Sequence, residues 1–190
     1  MHTSTKKLAA AAVIGAAYAA LTMVLAPISY GAIQMRGSEV LCILPFFAPC
    51  TAWGLFLGCA IANVISASGI LDVVFGSLAT LGACLCVAAL GKGRGAQSWT
   101  RCILAVLMPV VWNAVIVGAV LMWTLTETAF PSFSPVFWVF GGQVGAGELA
   151  VMLILGLPLL RLLPKNKKFT EIAAQYRERK RDRYETVSVS

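Results

Sequence analysis

Charged side chains are scarce in this sequence. They make up 12% of the 190 residues, whereas 59% of the residues are hydrophobic. A soluble domain carries about a quarter of its residues as charged side chains to cover its surface in water. We therefore predict an all-α integral membrane protein. The composition excludes a soluble enzyme, a nucleic-acid-binding domain and a secreted disulfide scaffold.

Residues for metal binding and nucleophilic catalysis are also few. The one histidine is His2, in the N-terminal tail, so that no Ser–His pair, Cys–His pair or zinc site is expected. Cysteines inside apolar runs act as small apolar side chains, and this applies to Cys42, Cys50, Cys59, Cys84, Cys86 and Cys102. The sequence has no GKS or GKT segment that would bind the phosphates of ATP. We predict no catalytic residue, no metal, no cofactor and no ATP hydrolysis by this chain itself.

Long apolar runs, in contrast, are abundant. A helix needs about 20 apolar residues to cross a bilayer, and four runs are long enough: residues 7–26, 72–90, 102–125 and 136–163. Residues 39–66 form either one tilted helix or two short ones. Pro45 and Pro49 interrupt this stretch, and proline inside a helix breaks or kinks it. The number of crossings is therefore five or six.

The distribution of basic residues decides between these two counts. With six crossings, 14 of the 15 Lys and Arg residues lie on the side of both termini, and only Arg36 lies opposite. Membrane proteins keep their basic loops in the cytoplasm, so we predict six transmembrane helices with cytoplasmic N- and C-termini. Residues 1–163 form this six-helix domain. Residues 164–190 form a basic cytoplasmic tail, helical or disordered, that contacts anionic lipid or a partner.

Polar residues inside the apolar runs are candidates for a binding site, since each is costly in lipid. Glu148 lies 13 residues into the last run, about 20 Å along it and near the middle of the bilayer. Gly141 and Gly145 share its helical face and leave space beside the carboxylate. The other members of this set are Asn63, Trp112, Asn113 and Gln143.

A carboxylate, amides and an indole at similar depth suit a small, flat, polar ligand. The carboxylate accepts two N–H groups, an amide pairs with the opposite groups, and the indole stacks on the ring. The alternative is a hydrogen-bond network between helices that only stabilises the bundle.

A second group of polar residues lies on the predicted outer side. Glu39 and Asp72 each begin a predicted helix, where the macrodipole stabilises an acid, so that capping and ligand binding are both open. Arg36, the only basic residue on this side, pairs with Glu39 or contacts the ligand. Residues 27–38 form a candidate lid whose polar or aromatic members are Tyr30, Gln34 and Arg36.

Small residues form a stripe on the first predicted helix. Ala12, Ala16 and Ala20 are spaced by four, and small residues at this spacing let another helix approach closely in lipid. The stripe packs either against another helix of this chain or against a separate membrane protein.

Three segments resemble the QueT family: residues 25–41, 54–81 and 147–160, with GILDVVFGSLATL (69–81) the most specific. QueT proteins are substrate-binding S components of energy-coupling factor (ECF) transporters, linked to uptake of queuosine precursors. The resemblance implies a six-helix S component in the bacterial cytoplasmic membrane that binds its ligand from outside. Its implied partners are a transmembrane coupling subunit, which would dock on Ala12, Ala16 and Ala20, and two cytoplasmic ATPase subunits.

The resemblance also implies the ligand, which would be 7-cyano- or 7-aminomethyl-7-deazaguanine, or queuine. Glu148 suits the guanine-like edge of such a base. Three other functions stay open from the residues alone. They are an S component for another vitamin-like molecule, a proton- or cation-coupled secondary transporter using Glu148 and Asp72, and a structural membrane scaffold.

Overall fold

The computed structural model describes residues 3–30, 34–92, 98–126, 129, 131 and 134–177, and every regular element within these ranges is helical. Residues 31–33 of the candidate lid, part of the loop 92–101 and the tail beyond Arg177 lie outside the described residues. In chain order the elements are α1 (Thr3–Val24), α2 (Ala26–Ser29), a 3-10 helix (Gly37–Phe46), α3 (Thr51–Asn63), α4 (Gly69–Leu90), α5 (Trp99–Leu125), α6 (Phe137–Lys165) and α7 (Lys167–Arg177).

Four of these helices, α1, α4, α5 and α6, are long and apolar enough to cross a membrane. They coincide with the four long apolar runs in the sequence, which confirms that prediction. Two of them contain a wide π-helical turn, at Asp72–Gly76 in α4 and at Met152–Gly156 in α6. Such turns open the regular ladder of backbone hydrogen bonds and often mark functional positions.

The ambiguous stretch forms two short apolar helices, Gly37–Phe46 and Thr51–Asn63. They are joined by residues 47–50, which include Pro49, and the first helix ends one residue after Pro45. Thr51 stabilises the start of α3 through a hydrogen bond from its hydroxyl to the Ala48 carbonyl at 2.8 Å. The predicted interruption by proline is therefore present as a complete break between two helices.

The seam between α1 and α3 is made of small residues. A Cβ at Gly54 would overlap the Ala11 carbonyl, and a Cβ at Gly15 would overlap the Gly54 carbonyl, so the two backbones touch. Ala19 is buried on the same side of α1. The predicted stripe lies on a different face and is exposed along its length; its members are Ala12, Ala16 and Ala20.

The beginning of α1, the turn 47–50 and α7 lie together at one end of the bundle. Phe169 of α7 packs edge-on against Phe47, with ring centroids 5.2 Å apart, and Lys7 of α1 interacts electrostatically with Cys50. At this end α7 is helical from Lys167 to Arg177. The tail is therefore at least partly helical, which the sequence had left open.

The close α1–α3 seam predicts that two substitutions of similar size differ widely in their effect on stability. Gly54→Leu forces the backbones apart and should lower the free energy of unfolding by about 1–3 kcal/mol, as overpacking does in other interiors. Ala12→Leu, on the exposed face of α1, is the matched control and should change stability little. The measurement is the melting temperature of each purified variant in the same detergent. Equal melting temperatures for the two variants would contradict the close contact between α1 and α3.

Candidate ligand-binding site

A buried ion pair connects the segment before the 3-10 helix to α4. Arg36 donates from Nη2 to Asp72 Oδ2 at 3.1 Å, and the two side chains are 4% and 2% exposed. Burial disfavours a charged guanidinium, but the Asp72 carboxylate outweighs this and raises the pKa of Arg36 well above its ordinary value. Arg36 is therefore charged at neutral pH. Its partner is Asp72, whereas the sequence analysis had proposed Glu39 or a ligand.

Tyr30 covers this ion pair from the side of α2. Its ring centroid lies 5.3 Å from Arg36 Cζ, a distance at which a cation is attracted to the face of an aromatic ring. The Tyr30 hydroxyl donates to the Ala62 carbonyl at 2.6 Å. Burial raises the pKa of Tyr30, against the opposing effect of the Arg36 charge, so the hydroxyl remains a donor.

Glu39, in the first turn of the 3-10 helix, is fully buried and has both oxygens paired. The Tyr18 hydroxyl donates to Oε1, and the Cys42 thiol donates to Oε2 at 3.0 Å. One turn further along α1, Thr22 shares a hydrogen bond of 2.6 Å with Ser38. Glu39 therefore fastens the 3-10 helix to α1.

Asn63 closes the cluster against α4. Its Nδ2 donates to the main-chain oxygen of Asp72 at 2.9 Å, within the wide turn at 72–76. A Cβ at Gly76 would lie 2.5 Å from Asp72 Oδ1 and 2.8 Å from Asn63 Nδ2. Glycine at position 76 therefore leaves the room that these two polar groups occupy.

Glu148 of α6 joins the cluster from the opposite side. It is 1% exposed, and Asn113 of α5, which lies beside it, is 4% exposed. The predicted space beside Glu148 is taken up by α5, because a Cβ at Gly145 would lie 3.2 Å from the Cβ of Ala114. This close approach brings Asn113 to the carboxylate.

Several buried polar atoms of the cluster have no hydrogen-bond partner among the described residues. They are Ser29 Oγ, Arg36 Nε, Asn63 Oδ1, Asp72 Oδ1 and Glu148 Oε1. Each unpaired buried polar group costs about 1–3 kcal/mol, and such groups are rare in folded proteins unless they serve a function. Together these atoms offer three carboxylate or amide acceptors and a guanidinium donor to a polar ligand.

The structure brings together most of the residues expected from the sequence, including the lid residues Tyr30 and Arg36. Gln34, two residues before Arg36 in the chain, is buried. Two residues lie differently: the indole of Trp112 packs on Gly82 of α4, and Gln143 is half-buried on α6. Sequence reasoning missed the residues that complete the cluster, which are Tyr18, Ser38, Cys42 and Gly76.

Two spacings in the sequence carried information on these missed residues. Tyr18 and Thr22 are one helical turn apart in a run that is otherwise small or apolar. Asp72, Gly76 and Thr80 recur every four residues in α4, which places them on one helical face. Ser38 and Cys42 offered no comparable pattern.

A comparison with known protein families identifies the chain. The family model of the QueT transporter matches residues 8–165, which include every residue of the cluster. The chain belongs to the QueT transporter family. The match confirms the resemblance seen in the sequence.

One curated relative supports the same assignment. A stretch of 72 residues is 42% identical to the queuosine precursor transporter QueT of Lactococcus lactis subsp. cremoris (strain MG1363). The stretch covers 37% of this chain and 42% of that relative. No solved structure matches the chain.

Breaking the buried ion pair on one side should be costly. Arg36→Met leaves the Asp72 carboxylate buried without its cation and should lower the free energy of unfolding by about 3–5 kcal/mol. The double variant Arg36→Met/Asp72→Leu removes both charges and should recover much of that loss. Melting temperatures of the two single variants and the double variant in one detergent provide the measurement. Additive losses would show that the two residues do not interact.

Proposed function

We propose that this chain is the substrate-binding S component of an ECF-type ABC importer for a queuosine precursor of the 7-deazaguanine class. The observation that carries the proposal is the set of unpaired buried atoms, above all Glu148 Oε1, Asp72 Oδ1 and Arg36 Nε. A bundle that only needed internal bracing would pair these atoms within itself, as it does for Glu39. A ligand that enters the cluster would complete them.

A 7-deazaguanine fits this set chemically. Its pyrimidinone edge presents a ring N–H and an amino group as donors next to a carbonyl acceptor. A carboxylate such as Glu148 accepts two N–H groups at once, and a guanidinium such as Arg36 donates to a carbonyl. Asn63 Oδ1 supplies a further acceptor for an N–H of the ring system.

The charges of the cluster favour a precursor that carries an amine. Three buried carboxyl groups, on Glu39, Asp72 and Glu148, share this region with the guanidinium of Arg36, which pairs with Asp72. A protonated amine, present in 7-aminomethyl-7-deazaguanine and queuine, adds a second positive charge to this group. The neutral 7-cyano base does not, so we place it below the amines in affinity.

The proposed topology has six membrane-spanning helices and cytoplasmic termini. The two short helices extend about 20 Å each, because a 3-10 helix rises about 2.0 Å per residue and an α-helix 1.5 Å. If both short helices cross the membrane, the tail begins on the same side as the N-terminus. This agrees with the position of α7 beside the beginning of α1. It also leaves Arg36 as the only outer basic residue. Residues 1–163 then form the multi-pass domain in the bacterial cytoplasmic membrane, and residues 164–190 form the tail.

The exposed alanine stripe is the proposed docking face for the coupling subunit. Ala12, Ala16 and Ala20 all lie on the exposed side of α1, where small side chains allow another helix to approach closely. Two cytoplasmic ATPase subunits would supply the energy, since the sequence holds no GKS or GKT segment.

Glu148→Gln should weaken binding of 7-aminomethyl-7-deazaguanine about tenfold or more, because the amide replaces one acceptor by a donor and removes a charge-assisted hydrogen bond. The measurement is titration calorimetry on the purified protein in detergent. Glu171→Gln, which changes an exposed acid of α7, is the matched control and should leave the affinity unchanged.

Three results would contradict parts of this proposal. Unchanged affinity in Glu148→Gln would remove Glu148 from the site. Tight binding of another vitamin, with no binding of any 7-deazaguanine, would overturn the ligand class. Uptake that a protonophore abolishes, and that needs no ATPase subunits, would instead support a secondary transporter using Glu148 and Asp72.

Ala16→Trp should prevent assembly with the coupling subunit while the isolated variant still binds its ligand. The indole would separate the two helices at the centre of the stripe, where close contact is required. Co-purification with a tagged coupling subunit measures assembly, and calorimetry measures binding. Ala89→Trp, at an exposed alanine of α4, is the control for size. Normal assembly of Ala16→Trp would place the docking face elsewhere.

A further inference from the structure

An open groove of about 460 Å³ lies between α1, α7 and the turn 47–50. One wall comes from α1, the other from α7, and the end of the 3-10 helix and the start of α3 form the floor. Its lining residues are Lys6, Ala9, Ala10, Val13, Ile14, Leu44, Phe47, Ala48, Thr51, Phe169, Ile172, Ala173 and Tyr176. This groove takes no part in the cluster around Arg36 and Glu148.

The two walls present apolar stripes that do not close on each other. Phe169, Ile172, Ala173 and Tyr176 recur at the spacing of one helical face, yet Ile172 is 54% exposed. Across the groove, Val13 of α1 is 68% exposed. Both helices thus turn apolar side chains toward the same unfilled space.

The groove is charged at one end and apolar along the rest of its length. Among the described residues that line the groove, Lys6 alone is charged. Val13 lies two helical turns further along α1, about 10 Å away. The charge is therefore at the end nearest the chain terminus, and the apolar part runs from there toward the middle of α1. Three further lysines, at positions 7, 167 and 168, lie at the same end of the bundle.

We propose that this groove binds one acyl chain of an anionic phospholipid, with the phosphate of the headgroup held by Lys6 and its neighbouring lysines. The distribution of charge and apolar surface matches that of such a lipid. A basic residue close to an anionic membrane surface contributes about 1 kcal/mol to binding. The lipid would fill the gap between α7 and α1 and fasten the tail helix to the bundle.

The distribution of charge favours an anionic phospholipid over an uncharged apolar occupant. The lining places Lys6 at one end of the groove and apolar side chains along the rest, which matches a phosphate attached to an extended hydrocarbon chain. The inference does not depend on which ligand the protein transports.

Native mass spectrometry of the full chain tests the inference. The protein is purified in detergent with equal amounts of palmitoyl-oleoyl phosphatidylglycerol and phosphatidylcholine, and bound lipid is counted for each variant. The wild type should retain one phosphatidylglycerol in preference to phosphatidylcholine. Lys6→Glu should reduce that retention about tenfold, because reversing one charge removes an attraction and adds a repulsion. Lys92→Glu, an exposed lysine outside the groove, is the matched control and should have no effect.

A second variant tests the apolar part of the site. Ala10→Phe fills the groove and should also release the lipid, whereas Ala89→Phe on the exposed side of α4 should not. Melting temperatures confirm that each variant is folded, so the test stands even if no 7-deazaguanine binds. Equal retention of the two lipids, or retention unchanged by Lys6→Glu and Ala10→Phe, would overturn the inference. So would loss of coupling-subunit assembly in Ala10→Phe with lipid retained, which would assign the groove to a protein partner.

Discussion

The buried ion pair between Arg36 and Asp72 is the interaction on which the rest of the site depends. Charges removed from water are tolerated only when each is compensated and the remaining polar atoms have partners. Arg36 and Asp72 meet this need for each other, because each supplies the opposite charge at 3.1 Å. The pair thereby holds the segment before the 3-10 helix against the wide turn of α4. Tyr30 and Asn63 then close the cluster on either side.

The hydrogen bonds of each acid distinguish a structural role from the proposed ligand-binding role. Both oxygens of Glu39 are paired, with Tyr18 and Cys42, so Glu39 belongs to the internal framework. Asp72 and Glu148 each keep one oxygen without a partner among the described residues, and the proposed function assigns these two oxygens to the ligand. For Glu39 and Asp72 the sequence left capping and ligand binding both open.

Local physical rules explain which features could be predicted from the sequence. Hydropathy and proline act through neighbouring residues, so the four long helices and the break near Pro45 were predictable. A carboxylate is costly in an apolar run whatever its partners are, so Glu148 could be singled out from its position in the sequence. The partners of these residues were not predictable, because Arg36 and Asp72 meet only through the packing of distant segments. Trp112 was misplaced because adjacent residues of a helix face different neighbours, and only Asn113 turns toward Glu148.

The first helix divides its surface among three partners. Ala11 and Gly15 pack on α3, Tyr18 reaches the 3-10 helix through Glu39, and the alanine stripe faces outward. Tyr18 lies between Ala16 and Ala20 in the same helix. In the proposed complex, a helix that docks on the stripe would therefore contact the same short segment of α1 that positions the Tyr18 hydroxyl.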